Sequence, residues 1–141
     1  MSRFRIGSFQ SSDTNSVIDI WEQCGLTRSW NNPHLDITRK LSCQSELFFV
    51  GEFASNVVAT AMFGFDGHRG WLSYFAVLPN YQNRGFGREL LEFGEEQLKA
   101  IGCPKLNLQV RAANVEAMDF YRRVGYTEDN VVSFGKRLIA D

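Results

Sequence analysis

The sequence has few of the residues that build disulfide frameworks or metal centres. It contains three cysteines and two histidines, and Cys24, Cys43 and Cys103 are far apart, with no CxxC pair and no histidine at metal-ligand spacing. We therefore expect neither a disulfide scaffold nor a bound metal. No charge of one sign dominates, because fifteen basic and sixteen acidic side chains give a net charge of −1. The overall charge therefore gives no support for a nucleic-acid partner.

Long apolar runs are also missing. No stretch reaches the roughly 20 apolar residues that span a bilayer, and the opening Met-Ser-Arg-Phe-Arg-Ile has no apolar run. We expect a cytoplasmic protein that does not contact a membrane. With 44% apolar and 22% charged residues, the composition is that of a globular protein. The length suits one hydrophobic core, and we expect a single domain over residues 1–141.

Apolar periodicity and turn residues predict alternating strands and helices in the first half. A strand is predicted at residues 4–9, and a helix follows with an apolar face of Val17, Ile18, Trp21 and Cys24. Irregular chain at residues 27–34 precedes a short helix at residues 36–42. Three β-rich runs follow, at residues 47–53, 57–65 and 71–77. The turns between them predict an antiparallel meander.

The second half predicts a crossover helix and a return to the sheet. This helix follows Gly87 and runs to about residue 101, and a strand is expected at residues 105–110. Because a helix joins the strands at 71–77 and 105–110, the two should be parallel neighbours. A further helix is predicted at residues 114–124. Residues 126–139 are expected to add one or two closing strands.

The most informative local feature is the glycine-containing loop before the crossover helix, Gln82-Asn83-Arg84-Gly85-Phe86-Gly87. Two glycines there let backbone N–H groups converge on an anion at the positive end of the helix dipole. Arg84 and Arg88 could add charge to a phosphate site or form a solvated face. No Gly-Lys-Ser/Thr follows, and the third glycine and acidic residue of a dinucleotide fold are missing. The loop therefore argues against ATP and NAD.

Two sequence blocks together resemble the GCN5-related N-acetyltransferase superfamily. Val77-Leu78-Pro79 followed by Tyr81 and the loop is similar to its acetyl-coenzyme A motif, Gln/Arg-x-x-Gly-x-Gly/Ala. Asn114-Val115-Glu116-Ala117, then Tyr121, then Gly125-Tyr126 is similar to its later Asn-x-x-Ala-x-x-x-Tyr-x-x-x-Gly-Phe/Tyr segment. The predicted element order extends the resemblance over essentially the whole chain. It looks most like small bacterial single-domain members, including the ypeA type and the ribosomal-protein N-terminal acetyltransferases.

The resemblance implies an α+β fold and a cofactor channel. The fold would have a mixed, mostly antiparallel sheet of six to seven strands, splayed in the middle, and about four helices. A pantetheine arm would pair with strand 71–77, where an amide would polarise the acetyl carbonyl, and the loop amides would hold the pyrophosphate. The implied acetyl-coenzyme A site comprises Phe75, Ala76, Val77, Gln82, Asn83, Arg84, Gly85, Phe86, Gly87, Arg88 and Asn114.

The resemblance also implies catalytic roles that compete with structural ones. Tyr121 would protonate the departing thiolate, and Asn114 would bind a pantetheine amide. Tyr121 could instead be a core aromatic residue, and Asn114 could be a helix N-cap. The implied reaction is direct acetyl transfer in a ternary complex to a primary amine, in a small molecule, a protein N-terminus or a lysine. A non-catalytic acetyl-coenzyme A sensor is the alternative.

The general base is where the sequence departs from the family. Relatives place a glutamate where this chain has Trp71 or Gln109, and neither side chain can accept a proton as a base. This departure argues against ribosomal-protein acetylation. The remaining candidates are a water chain, Tyr74, Glu116 and the Asp66/His68 turn. Because relatives often dimerise through late strands, a homodimer through residues 131–139 is also expected.

Overall fold

A computed structural model describes residues 2–141 of the chain. The described residues form nine regular elements, most of them close to the predicted bounds. In chain order they are β1 (Arg5–Ser8), α1 (Thr14–Gln23), α2 (Pro33–Leu41), β2 (Phe48–Phe53), β3 (Asn56–Phe65), β4 (Gly70–Val77), α3 (Phe86–Ala100), β5 (Leu106–Leu108) and α4 (Val115–Arg123). Short 3-10 turns lie at Ser11–Asp13, Ser45–Leu47 and Pro79–Tyr81. The α+β class and the four helices are therefore confirmed.

The strands form one sheet in the order β1-β2-β3-β4-β5. The first four make the predicted antiparallel meander, and β4 and β5 are parallel because α3 crosses between them. Pairing of β4 with β5 stops at Leu72 and Leu108. From there β4 continues to Val77, so within residues 2–141 its positions 73–77 have no strand on that side. The sheet is therefore open between β4 and the edge strand β5.

The expectation of six to seven strands is wrong. The described chain has five, and residues 126–139 form none of the closing strands. They contact the β5 region through side-chain hydrogen bonds instead. Lys105 and Asn107 donate to Asp129, and Gln109 donates to Ser133. Side-chain contacts do not make a backbone ladder, which is why this segment adds no strand.

Two apolar layers cover the sheet. On one face, Leu90, Leu91 and Leu98 of α3 are buried, and each such side chain stabilises the fold by about 1.5–3 kcal/mol. Gly94 lets α3 approach closely, because a Cβ there would lie 2.0 Å from the ring of Phe63. On the other face, α1 and α2 pack against the sheet around the fully buried Trp21.

A β-bulge bends β4 where it leaves β5. The pairing with β3 shifts between Thr60 and Met62, and Tyr74 adopts a φ of 50°, which is rare for a bulky residue. Its carbonyl accepts a 2.7 Å hydrogen bond from Thr60 Oγ1, which itself accepts one of 3.0 Å from Trp21 Nε1. The Tyr74 and Trp21 rings stack at 3.8 Å. These contacts hold the bulge.

Candidate active site

A cleft of about 650 Å³ opens beside the unpaired edge of β4. This volume lies in the usual range of small-molecule sites. Its walls come mainly from the loop between α1 and α2, from α2, from β4, from the turn between β5 and α4, and from α4 itself. Three of the predicted site residues line it together: Phe75, Asn114 and Tyr121.

Tyr121 projects from α4 into this cleft. Its ring lies 6.1 Å from that of Phe75 and 5.8 Å from that of Tyr126, so it also belongs to the aromatic packing. Burial raises the pKa of its hydroxyl above the ordinary phenol value. The hydroxyl makes no hydrogen bond within the described chain, and no buried polar side-chain atom described there lacks a partner. The hydroxyl is therefore only partly buried, and it holds a proton that it can donate.

Asn114 is the N-cap of α4. Its Oδ1 accepts a 3.1 Å hydrogen bond from the backbone N–H of Ala117, which is the predicted structural role. Its Nδ2 has no partner among residues 2–141. Because an asparagine amide both accepts and donates, this group could still donate to a ligand in the cleft.

The loop before α3 presents its backbone. Asn83 and Gly85 adopt φ values of 63° and 84°, and Gly85 is the N-cap, with no side chain to close the helix. The backbone N–H of Glu89 donates a 3.1 Å hydrogen bond to the carbonyl of Gly85. In an α-helix the N–H groups before this bond, at positions 86–88, point out of the N-terminus. They could hold an anion there.

The side chains of this loop are largely used by the fold. Gln82 Nε2 donates to the carbonyl of Val77 at 2.8 Å, and the buried Phe86 ring stacks on Phe4 at 4.4 Å. Arg84 lies over the ring of Tyr81, with 5.1 Å from Cζ to the ring centroid. The buried Phe86 could therefore meet a ligand only through its backbone.

Gly87 brings the loop, β4 and α4 together. A Cβ at Gly87 would lie 3.4 Å from the ring of Phe120 and 3.6 Å from that of Phe75. Both rings also contact Tyr121. The N-terminus of α3 and the Tyr121 cleft are thus joined through Phe75.

The unpaired edge of β4 also offers backbone groups. Leu78 N donates to Val58 O at 2.8 Å, on the β3 side. Because successive residues of a strand alternate the direction of their N–H and C=O groups, those of Val77 point to the open side. The Val77 carbonyl accepts a hydrogen bond from Gln82, whereas the N–H of Val77 remains available to a ligand.

The candidate bases from the sequence do not converge. Asp66 Oδ1 accepts hydrogen bonds from the N–H groups of Arg69 and His68, which hold the pKa of this carboxyl below its usual value. Its Oδ2 accepts one from Trp71 Nε1, so Asp66 caps a turn. Of the described residues, those lining the cleft do not include Asp66, His68 or Glu116. Tyr74 does line it.

Asp36 is a cleft residue that sequence reasoning missed. Its Oδ2 accepts a 2.5 Å hydrogen bond from the Tyr74 hydroxyl, and its Oδ1 accepts one of 3.1 Å from Arg39. Burial and the bond to Asp36 raise the pKa of Tyr74 above its ordinary value. The sequence feature that could have indicated it is the position of Asp36 in the first turn of a helix that begins after the N-cap Asn32.

The described residues contain neither a metal-binding cluster nor a helix that could span a membrane. No group of three or more His, Cys, Asp or Glu side chains there is placed to hold a metal ion. No helix in this part of the chain has the length and apolar character needed to cross a membrane.

Comparison with known proteins identifies the family. The family model described as acetyltransferase (GNAT) family matches residues 14–126. The chain is 44% identical over 133 residues to acetyltransferase YE1169 of Yersinia enterocolitica, covering 94% of both. Among solved structures, the ribosomal-protein-S18-alanine N-acetyltransferase of Escherichia coli superposes with a TM-score of 0.74 at 25% identity, covering 91% of this chain and 80% of that one.

A complex with the cofactor shares the fold. The PaiA N-acetyltransferase of Thermoplasma acidophilum, solved with coenzyme A, has a TM-score of 0.76 at 18% identity and covers 92% of this chain and 93% of that one. The open β4 edge, the exposed N-terminus of α3 and the free Asn114 Nδ2 fit such a cofactor. The chain therefore belongs to the acetyltransferase (GNAT) family and transfers an acetyl group from acetyl-coenzyme A to an amine.

Proposed function

We propose that acetyl-coenzyme A binds along the open edge of β4 and that the acetyl group passes directly to an amine in the adjoining cleft. One observation carries this proposal. The unpaired positions 73–77 connect the open N-terminus of α3 with the Tyr121 hydroxyl, through the contacts of Phe75 with Gly87 and Tyr121. This is the order in which pyrophosphate, pantetheine and thioester follow one another in the cofactor.

The backbone supplies most of the proposed cofactor contacts. The N–H groups of residues 86–88 would hold the pyrophosphate, with the left-handed Asn83 and Gly85 opening the loop toward it. Phe75, Ala76 and Val77 would pair with the pantetheine arm as with an added strand. The Asn114 Nδ2 would donate to an arm carbonyl. Arg84 and Arg88 would add positive charge beside the phosphates.

The proposed chemistry needs two groups of the protein. The amine, after losing its ammonium proton, attacks the thioester carbonyl carbon, and the Val77 N–H stabilises the negative charge that develops on the oxygen. As the C–S bond breaks, Tyr121 gives its proton to sulfur. The nitrogen loses two protons in all; one restores Tyr121, and the other leaves to solvent.

A Tyr121→Phe variant tests this assignment. We expect kcat for thiol release to fall by about 10²- to 10⁴-fold, because a general acid is lost. Acetyl-coenzyme A affinity, measured by calorimetry, should stay the same. Tyr126→Phe is the matched control, since the Tyr126 hydroxyl is bonded to Glu95. An unchanged kcat in Tyr121→Phe would refute the acid role.

We also propose a homodimer through residues 131–139. Val131, Val132, Phe134, Leu138 and Ile139 are 68–94% exposed, and patches of this kind usually mark an interface. The side of β5 away from β4 carries no paired strand in the described chain. An extended apolar segment and a free strand edge on one chain suit pairing with a second copy.

A further inference from the structure

The cleft beside Tyr121 has an unbalanced charge. Asp36 is the one carboxylate among the described residues that line it. The cationic side chains that line it are Arg28, Arg39, Lys40 and Arg111. This excess of positive charge bears on which amines can enter.

Two of these cations are already paired or buried. Arg39 bonds to Asp36 at 3.1 Å and to Asp141 at 2.6 Å, and Asp141 also bonds to Arg137 at 2.8 Å. Lys40 is buried, and its Nζ donates to the carbonyl of Phe63. Neither cation therefore requires a ligand.

Arg28 and Arg111 have no carboxylate partner within residues 2–141. Arg28 donates Nη1 to the carbonyls of Gly25 and Thr27, at 2.6 and 2.8 Å, which leaves its other N–H groups for a ligand. Arg111 lies over the ring of Trp30, with 5.9 Å from Cζ to the centroid. A guanidinium held on an aromatic face keeps its N–H edge free for a planar anion.

These two arginines belong to neighbouring segments of the cleft lining. Arg28 belongs to the loop between α1 and α2, and Arg111 to the turn between β5 and α4. The stack of Arg111 on Trp30 brings these segments together. Asp36, bonded to Tyr74 of β4, lies on α2. The lining therefore has two guanidinium groups without a carboxylate partner in the described chain, and one carboxylate. Asp36 already accepts hydrogen bonds from Tyr74 and Arg39, and a carboxylate has further lone pairs that an ammonium could use.

We infer that the acceptor is a small amine that also carries a carboxylate or phosphate group, with the anion bound by Arg28 and Arg111 and the ammonium received by Asp36. The inference rests on the proposed function of this cleft. A polycationic amine would meet two unbalanced guanidinium groups, and such like-charge contact disfavours binding.

Matched amine pairs test this specificity. L-leucine and isoamylamine differ by a carboxylate, and phosphoethanolamine and ethanolamine differ by a phosphate. In thiol release from acetyl-coenzyme A, the anionic member of at least one pair should have a kcat/KM about tenfold higher or more, because a bond to a charged group is gained. The pair that shows the effect tells which anion is preferred. An equal or higher kcat/KM for the member without the anionic group, in both pairs, would overturn the inference.

Variants connect the effect to the guanidinium groups. Arg111→Gln and Arg28→Gln should raise KM for the amine that carries the anionic group about tenfold. They should leave kcat, and the KM of the amine without that group, near wild type. Arg111→Lys should restore part of the loss. Arg123→Gln, an exposed arginine of α4 that does not line the cleft, is the control. Equal effects on both members of a pair would show that the arginines only support the fold.

Binding separates this inference from the proposed function. If acetyl-coenzyme A binds and no amine releases thiol, the catalytic proposal fails. Calorimetry of each amine pair with the coenzyme A-loaded protein then tests the inference alone. Tighter binding of the anionic member, lost in Arg111→Gln, would support it, and equal binding of both members would overturn it.

Discussion

The side-chain amide of Gln82 donates a 2.8 Å hydrogen bond to the carbonyl oxygen of Val77. The first residue of the glycine loop is thereby tied to the last residue of β4. Cys24 Sγ lies 3.4 Å from the same oxygen, on the α1 side. The N–H of Val77 lies on the open edge of β4, and we propose that it binds the acetyl carbonyl. The hydrogen bond from Gln82 therefore holds this N–H in position.

Gln82→Ala should weaken cofactor binding without unfolding the protein. One hydrogen bond contributes about 1 kcal/mol net, so we expect about a fivefold loss of acetyl-coenzyme A affinity by calorimetry. Gln97→Ala is the matched control, because Gln97 is exposed on α3. Equal affinities of the two variants would mean that the tie does not position the site.

The two glycines of the loop should respond differently to alanine. Gly85 has a φ of 84°, so Gly85→Ala strains the backbone by about 1–2 kcal/mol and should lower acetyl-coenzyme A affinity. Gly87→Ala places a methyl group at an ordinary contact distance of 3.4 Å from Phe120 and should retain near-wild-type affinity. Calorimetry on both variants checks this, and a larger loss in Gly87→Ala would contradict it.

The strongest local patterns were predictable from the sequence. The apolar spacing of Leu90, Leu91 and Leu98 predicted a helix that ends near residue 101, and α3 ends at Ala100. Residues 126–139 were different, because the one or two closing strands expected there do not form. A strand forms only where a partner completes its ladder, and composition carries no information about the partner.

The candidate site also has residues that local sequence predicts and residues that it does not. Tyr121 and Asn114 belong to a local motif, and the structure places both in one cleft. Asp36 meets Tyr74 across 38 positions of sequence, because α2 packs against the bulged part of β4. The residues next to Asp36 and Tyr74 in the chain do not indicate that contact. Asp36, the only carboxylate of the described cleft lining, could therefore not be found from the sequence.

Replacing Thr60 should loosen the bulge. Thr60→Val leaves the Trp21 indole N–H buried without an acceptor, which costs about 1–3 kcal/mol. We expect a lower midpoint in urea unfolding and a lower kcat, since the Tyr74 carbonyl also loses its donor. Thr60→Ser keeps the hydroxyl and should retain more of both. If valine and serine variants unfold at the same urea concentration, the network does not hold the bulge.

Alkaline pH should destabilise the fold through three tyrosines. Burial raises the pKa values of Tyr74, Tyr121 and Tyr126 in the folded chain. A tyrosine in the unfolded chain has a pKa of about 10. Above about pH 10 the unfolded chain therefore binds fewer protons than the folded chain, and stability falls as pH rises. Phenolate absorbance from these residues should appear together with the loss of circular dichroism. Ionisation well before unfolding would contradict the buried environments.

The exposed segment 131–139 gives the last prediction. Phe134 is 94% exposed, and in the described chain its ring has no aromatic partner, so Phe134→Ser removes apolar surface without opening a cavity. If a second copy covers this segment, the wild type should be a dimer in light scattering, and the variant should dissociate at higher concentrations than the wild type does. Leu35→Ser is the control, because Leu35 is a 40% exposed apolar residue on α2, outside the segment. A monomeric wild type, or equal dissociation of both variants, would refute the proposed interface, since burial of apolar area is what would hold the two copies together.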